Sequence, residues 1–242
     1  MTTVEVPSLE RLHALRAEGM QVGYKGIYIY LRYRAILEVL ASIRFDRVLE
    51  VGCGYGIFAR LLPPDIDYVG VDTGEAEVRV ASAWAAAHRP GWRLLRETVT
   101  AHAPADAAFD LVLLSEVLEH MPEPDAEATL AASVRALAPG GHLLVTVPNR
   151  LHVRNRARRL ATSRELVLMD PTHLREYTLG EARRLVDAFP LTPVAFRGAV
   201  LYFPKETVVA RVIRPESRLR TAALAAFPAL ASHFVFLLRK PA

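Results

Sequence analysis

The chain is predicted to fold as an α/β domain around a doubly wound, seven-stranded sheet, and three observations carry that expectation. From residue 47 onward, short apolar runs alternate with helical patterns, the order that builds parallel βαβ units. The run Phe109 to Ser115 is apolar almost throughout, as suits a central strand covered on both faces. Finally, Leu49-Glu50-Val51-Gly52-Cys53-Gly54-Tyr55-Gly56-Ile57 ends a strand in an acid and follows it with three glycines at alternate positions. Such a strand must turn sharply and let a ligand press against bare backbone, because glycine tolerates positive φ and carries no Cβ.

The elements follow in order. Residues 8 to 42 read as helical, with Ser8 as cap and Leu9, Leu12 and Leu15 at helical spacing, interrupted by Gly19, Gly23 and Gly26. Arg47 to Val51 is the first strand, and a short helix is expected over Ile57 to Leu62, ended by Pro63-Pro64. Its first turn would offer unpaired N–H groups to a ligand. Asp67 to Asp72, Trp92 to Val99, Phe109 to Ser115 and His142 to Val147 are the next strands, with helices over Ala76 to His88 and Ala126 to Leu137. Pro139-Gly140-Gly141 turns into the fifth strand. Thr178 and Glu181 form a capping box for a helix whose stripe is Leu179, Ala182, Leu185, Val186 and Phe189. Val194 to Phe196 and Phe234 to Leu238 complete the seven.

At 242 residues, the chain suits one α/β domain with a small appendage, and 52% hydrophobic residues supply an ample core. The expected division is a helical cap over 1–45, a core over 46–200, an insertion over 201–232 and a last strand over 233–242. The formal net charge of +4 is too small to imply nucleic acid. Cys53 is the single cysteine, so a disulfide framework and a cysteine-based zinc site are excluded and a reducing, cytoplasmic compartment fits. Glu5, Glu10 and the lack of an apolar run predict no signal peptide. Thr221 to Leu238 is uncharged and just reaches the length of a membrane span, but Pro228, Ser232 and His233 break it. A buried helix followed by a strand is expected there.

Glycine spacing discriminates between ligands. A dinucleotide fingerprint would put its third glycine at 57, where this chain has Ile57, and the third glycine comes one residue early, at Gly56. Five segments in order carry a family resemblance: Val48 to Gly56, Tyr68-Val69-Gly70-Val71-Asp72, Phe109 to Val112 with Ser115-Glu116-Val117-Leu118-Glu119-His120, Leu137 to Leu143, and His173-Leu174-Arg175-Glu176-Tyr177-Thr178. Together they resemble the class I methyltransferases that use S-adenosylmethionine (SAM). Within that class they look most like the ubiquinone-biosynthesis and related small-molecule branch. The resemblance implies a Rossmann-like sheet whose last strand runs antiparallel, with SAM as cofactor and S-adenosylhomocysteine as product. It also implies that Glu50, Gly52 and Gly54 meet the methionine part, Asp72 the ribose, and Glu97 and Thr98 the adenine, that Ser115 and Glu116 touch the cofactor from the fourth strand, and that Cys53, Gly56 and Thr73 belong to the same cofactor site. Asp72 has two acceptor oxygens suited to a diol. Cys53 is expected to be a small residue in a tight loop, since no neighbouring base or cation activates it.

The sulfonium of SAM is a built-in leaving group, so the protein mainly positions the reactants. A hydroxyl acceptor gains from a base, and histidine is the usual group. His173 and His120 are the catalytic candidates. His152, Arg154 and Tyr24 are candidates for the acceptor pocket. The spacing shows no compact ligand cluster, so no metal is expected. Asn149 to Arg164 holds six arginines and no acid, which suits an anionic acceptor, an anionic membrane surface or a solvated helix face. The apolar insertion could form a homodimer contact, a lipid-facing patch or a lid. The expected activity is methylation of a small molecule at oxygen, on a lipid, quinone, sugar or secondary metabolite, with no nucleic-acid partner and with peripheral membrane contact open. The alternatives are an RNA-modifying enzyme using the arginines and a SAM-binding subunit without catalysis.

Overall fold

The structure, a computed structural model, describes residues 2–21, 27–102, 107–161, 168–201 and 217–242. Ser8 accepts the Arg11 N–H and starts α1 (Leu9–Met20), and α2 (Ile27–Leu40) follows. The sheet contains β1 (Arg47–Val51), β2 (Asp67–Asp72), β3 (Arg93–Arg96), β4 (Phe109–Ser115), β5 (Leu137–Pro148), β6 (Thr192–Ala199) and β7 (His233–Arg239). Between these strands lie α3 (Glu75–His88), α4 (Glu123–Ala136), α5 (Val153–Ala161), α6 (Leu179–Asp187) and α7 (Arg218–Ala226).

Strand order is β3-β2-β1-β4-β5-β7-β6, parallel except that β7 runs antiparallel to both neighbours. The chain goes outward from β1 through β2 to β3, then returns to the other side of β1 at β4. Ligands in doubly wound sheets sit beyond the carboxyl ends of strands at such a reversal. Alternation along β4 shows why its run is apolar: Leu111 and Leu113 pack with α1 and α2, while Val112 and Leu114 pack with Leu130 and Val134 of α4.

Several boundaries differ from expectation. The helix expected over 57–62 is a single 3-10 turn, Ala59–Leu61, so no long helix presents its N-terminus to the loop. The third strand is shorter than expected, because Thr98 caps a turn by accepting the Ala101 N–H. Helix α4 begins at Glu123, with Pro124 in its first turn, where a missing N–H costs nothing. Strand β5 begins at Leu137 and loops out over 138–141 before pairing resumes at His142. The helix in the 221–238 run is less buried than expected, since Thr221, Ala225, Ala226 and Phe227 are exposed. Among the described residues, no helix is long and apolar enough to cross a membrane. Of the expected insertion over 201–232, residues 202–216 lie outside the described residues.

Candidate active site

The glycine loop closes over the end of β1. Gly52, Gly54 and Gly56 have φ of +72°, +50° and +66°. The N–H groups of Gly52 and Cys53 donate to the Val71 carbonyl at 2.8 and 3.1 Å, which pins the loop to β2. A Cβ on Gly52 would stand 2.5 Å from Val117 Cγ2. Asp72 braces the two neighbouring turns: Oδ2 accepts the Gly54 N–H and Oδ1 the Gly74 N–H, both at 2.8 Å. Each oxygen keeps acceptor capacity toward the cavity. Glu50 is 3% exposed and accepts the Tyr68 hydroxyl at 2.5 Å. Burial pushes its carboxyl up to about 8, partly offset by that hydrogen bond. Cys53 is buried, and burial beside Glu50 and Asp72 drives its thiol far above the usual range.

Glu50, Gly52, Cys53, Gly54 and Asp72 line one cavity of about 1110 Å³ that also takes in Thr73, Glu97, Thr98, Ser115 and Glu116. Gly56, expected to join them, is outside that lining and packs toward α3, where a Cβ would stand 3.2 Å from Ala81 Cβ. Small-molecule sites run to roughly 1,000 Å³, so this one has room for a cofactor and an acceptor together. Glu97 is engaged by the His102 ring, and Thr98 Oγ1 lies 2.8 Å from Thr100 Oγ1. Ser115 Oγ lies 3.3 Å from Thr146 Oγ1. Glu116 adopts φ +59°, a conformation that a non-glycine residue holds only when its surroundings enforce it. Here its N–H donates to Thr146 Oγ1 at 3.1 Å, and Thr146 Oγ1 donates to Glu116 Oε1 at 2.7 Å. Arg32 of α2 at 3.2 Å and His233 of β7 at 3.1 Å pair with Oε2. Burial would raise this carboxyl, but the Arg32 guanidinium and the contacts with His233 and Thr146 outweigh it and hold the group well below its ordinary value.

The opposite half of the cavity is built by docking residues 173–177 against the turn after β4. The N–H groups of Leu174 and Arg175 donate to the Glu119 carbonyl, and the Tyr177 N–H donates to the Pro148 carbonyl. That clamp brings His173 to His120, with ring centroids 4.9 Å apart and planes at 76°. His173 Nε2 lies 4.0 Å from Glu119 Oε1. Glu119 is fully buried, with neither carboxylate oxygen hydrogen-bonded among the described residues, and burial next to Glu116 raises its carboxyl well above the usual range. Glu119, His120 and His173 each offer a ligand atom within 4.8 Å of the others, a set able to hold a metal ion. The sequence reading found no such cluster because 53 residues separate His120 from His173.

His152 also lines the cavity, is 1% exposed and is pushed down to about 4 by burial. Arg154 lines it from α5. Tyr24 lies outside the described residues, while Tyr28 lines the cavity and Tyr30 is fully buried in the core. Within the arginine cluster, Arg150 meets both oxygens of Glu181, at 2.9 and 3.0 Å, and Arg156 Nε donates to the Leu151 carbonyl at 2.6 Å. Reasoning from sequence missed Arg32, Glu119, Glu176 and His233. Glu119 was within reach, as the acid beside a candidate histidine. Nothing local marks the other three.

A seven-stranded sheet with one antiparallel strand, a glycine loop and an acid-ended β2 defines a class I methyltransferase. The chain belongs to the family described as methyltransferase domain, whose model matches residues 25–195. A ubiquinone biosynthesis O-methyltransferase of Pectobacterium carotovorum is 36% identical over 122 residues, which cover 50% of this chain and 50% of that one. The chain thus matches about half the length of such relatives. Among solved structures, the N-methyltransferase NodS of Bradyrhizobium japonicum in complex with S-adenosylhomocysteine has a TM-score of 0.62 at 18% identity, covering 96% of this chain and 98% of that one. The cyclase SpnF has a TM-score of 0.62 at 18% identity, covering 99% of each chain. Fold likeness of this kind leaves the chemistry to the site.

Proposed function

We propose that this protein is a SAM-dependent methyltransferase acting on a hydroxyl oxygen of a small molecule, of the lipid, quinone, sugar or secondary-metabolite type. The observation that carries the reading is one continuous cavity with the glycine loop and Asp72 in one half and His120, His152 and His173 in the other. The residues present fit SAM: a bare loop that a Cβ at 52 would obstruct, Asp72 oxygens facing the cavity, and a buried carboxyl at Glu50. When bound, SAM supplies a methyl group on a sulfonium leaving group. Asp72 receives the ribose hydroxyls, and the Glu50 carboxylate meets the ammonium of the methionine part. Cys53 and Gly56 complete the loop, while Thr73, Glu97, Thr98, Ser115 and Glu116 surround the rest of the cofactor. His173 Nε2 takes the acceptor's hydroxyl proton, with His120 beside it. His152 and Arg154 contact the acceptor.

The reading is tested with SAM carrying a labelled methyl group, purified protein and host extract, with Asp72→Ala as control. Label in organic-soluble or small polar products, lost in the control, supports it. Label in RNA would replace it with the nucleic-acid alternative. SAM binding without label in any fraction would favour a non-catalytic subunit.

One observation favours a second account of acceptor activation. The buried, unbonded Glu119 with His120 and His173 is a donor set suited to a divalent cation. A bound cation would acidify the acceptor hydroxyl in place of a base. Activity that survives exhaustive chelation belongs to the base account, and activity lost and restored by magnesium or manganese belongs to the cation account. Peripheral membrane contact is part of the proposal, supported by exposed Arg156 and Arg159 on α5 and by Leu160, 90% exposed. Charge reversal at Arg156, Arg158 and Arg159 should abolish cosedimentation with anionic phospholipid vesicles. Unchanged cosedimentation would sink the membrane contact. Homodimer formation through the insertion is open to light scattering.

A further inference from the structure

The two histidines of the acceptor half are each held from behind, at Nδ1. His173 Nδ1 lies 3.1 Å from Glu176 Oε1. That oxygen also accepts the Met169 N–H, so it acts as an acceptor and the proton between it and the ring belongs to Nδ1. Glu176 is 2% exposed, and its side chain is held in a single place by this pair of donors. His120 Nδ1 lies 3.2 Å from the Thr172 carbonyl and 3.3 Å from Thr172 Oγ1. A carbonyl only accepts, so His120 too must carry its proton on Nδ1. Thr172 is fixed in turn by Asp170, whose Oδ1 accepts the Thr172 N–H at 2.9 Å and its hydroxyl at 2.6 Å.

We propose that Glu176 and the Asp170–Thr172 turn are positioning residues that lock both histidines as the Nδ1–H tautomer. Each Nε2 then carries the lone pair, that of His173 lying 4.0 Å from Glu119 Oε1. A neutral imidazole has one donor and one acceptor nitrogen, and the hydrogen bond at one fixes the role of the other. Left free, a histidine side chain favours the Nε2–H form, which would turn an N–H rather than a lone pair toward the cavity. Neither a proton acceptor nor a metal ligand works in that form. The inference therefore holds under either account of acceptor activation and rests on the reading of His120 and His173 as working groups. Segment 169–176 emerges as a tautomer-setting loop.

The test reads the tautomer directly and needs no acceptor. Full-length protein with ¹⁵N-labelled histidine is examined by NMR near pH 8 in the presence of a chelator, and His120 and His173 are assigned from His120→Gln and His173→Gln. The expected spectrum shows both rings with Nδ1 in the protonated range and Nε2 in the bare range. Glu176→Met, which accepts no hydrogen bond, should shift His173 toward Nε2–H and leave His120 unchanged. Glu176→Gln, whose amide oxygen still accepts, should restore the Nδ1–H form. Wild-type protein with Nε2–H at either ring would overturn the proposal, and that readout needs neither Glu176 variant to fold. So would a folded Glu176→Met protein with an unchanged His173 spectrum. Because none of these readouts involves methyl transfer, failure here is distinguishable from failure of the proposed activity.

Discussion

Replacing Glu50 by Gln should change how stability depends on pH, in a direction the structure fixes. The folded wild-type protein holds this carboxyl protonated up to about 8, against 4.5 for the unbound group. The raised value means that the stabilising contribution is fully present below about 4.5 and is lost as pH rises through 8. At ~1.4 kcal/mol for each tenfold change, the ceiling on that loss is about 5 kcal/mol. For a chain of this size, 1 kcal/mol moves Tm by about 2–4 °C. Wild-type Tm should therefore fall between pH 5 and 9 more steeply than that of Glu50→Gln, by at least about 5 °C. Gln still accepts the Tyr68 hydroxyl, so the cavity keeps its shape. Other titrating groups are shared by both proteins and drop out of the difference. The assay is thermal unfolding followed by circular dichroism at five pH values, with and without SAM. Saturating SAM should flatten the wild-type curve, because an ammonium beside Glu50 offsets the cost of its ionisation. Parallel Tm–pH curves for the two proteins would refute the reasoning.

Three further outcomes are expected. Gly52→Ala puts a Cβ at φ +72°, 2.5 Å from Val117, and should weaken SAM binding by at least about tenfold in calorimetry while costing ~1–3 kcal/mol of stability. Val117→Ala in the same chain relieves the contact but not the backbone strain, so it should restore only part. Arg32→Met removes the guanidinium paired with Glu116 and leaves His233 as the remaining ion-pair partner at Oε2, and should destabilise by ~3–5 kcal/mol in urea unfolding. Adding Glu116→Gln should recover much of that loss. His152 is depressed to about 4, so stability should fall as pH drops from about 6.5 through 4. His152→Gln should flatten that acid limb by up to about 3 kcal/mol, read from Tm between pH 4 and 7.

The glycine-loop half of the cavity was legible in the sequence because its geometry is local. Glu50, Gly52, Gly54 and Gly56 lie within seven residues, and their spacing states the turn they make. Asp72 was legible for the same reason, as the acid that ends a clean apolar strand. The strands with alternating or wholly apolar patterns, β1, β2 and β4, fell where expected, since burial on one or both faces writes itself into every residue. Where a boundary depends on a neighbour, the pattern failed. The turn that shortens β3 depends on a Thr98 cap, and the loop within β5 on the register of Phe109 and Leu111 against it.

The acceptor half is a product of tertiary structure. His120 and His173 meet because residues 173–177 dock on the Glu119 and Pro148 carbonyls. Glu116 is ionised because Arg32 and His233 arrive from opposite ends of the chain. Glu176 faces His173 because a loop folds back within three residues of it. Sequence determined the fold class, the glycine loop and the list of titratable side chains. The structure decided which of them share a cavity and which partners each one meets there, because those properties depend on burial and on contacts that only long-range packing supplies.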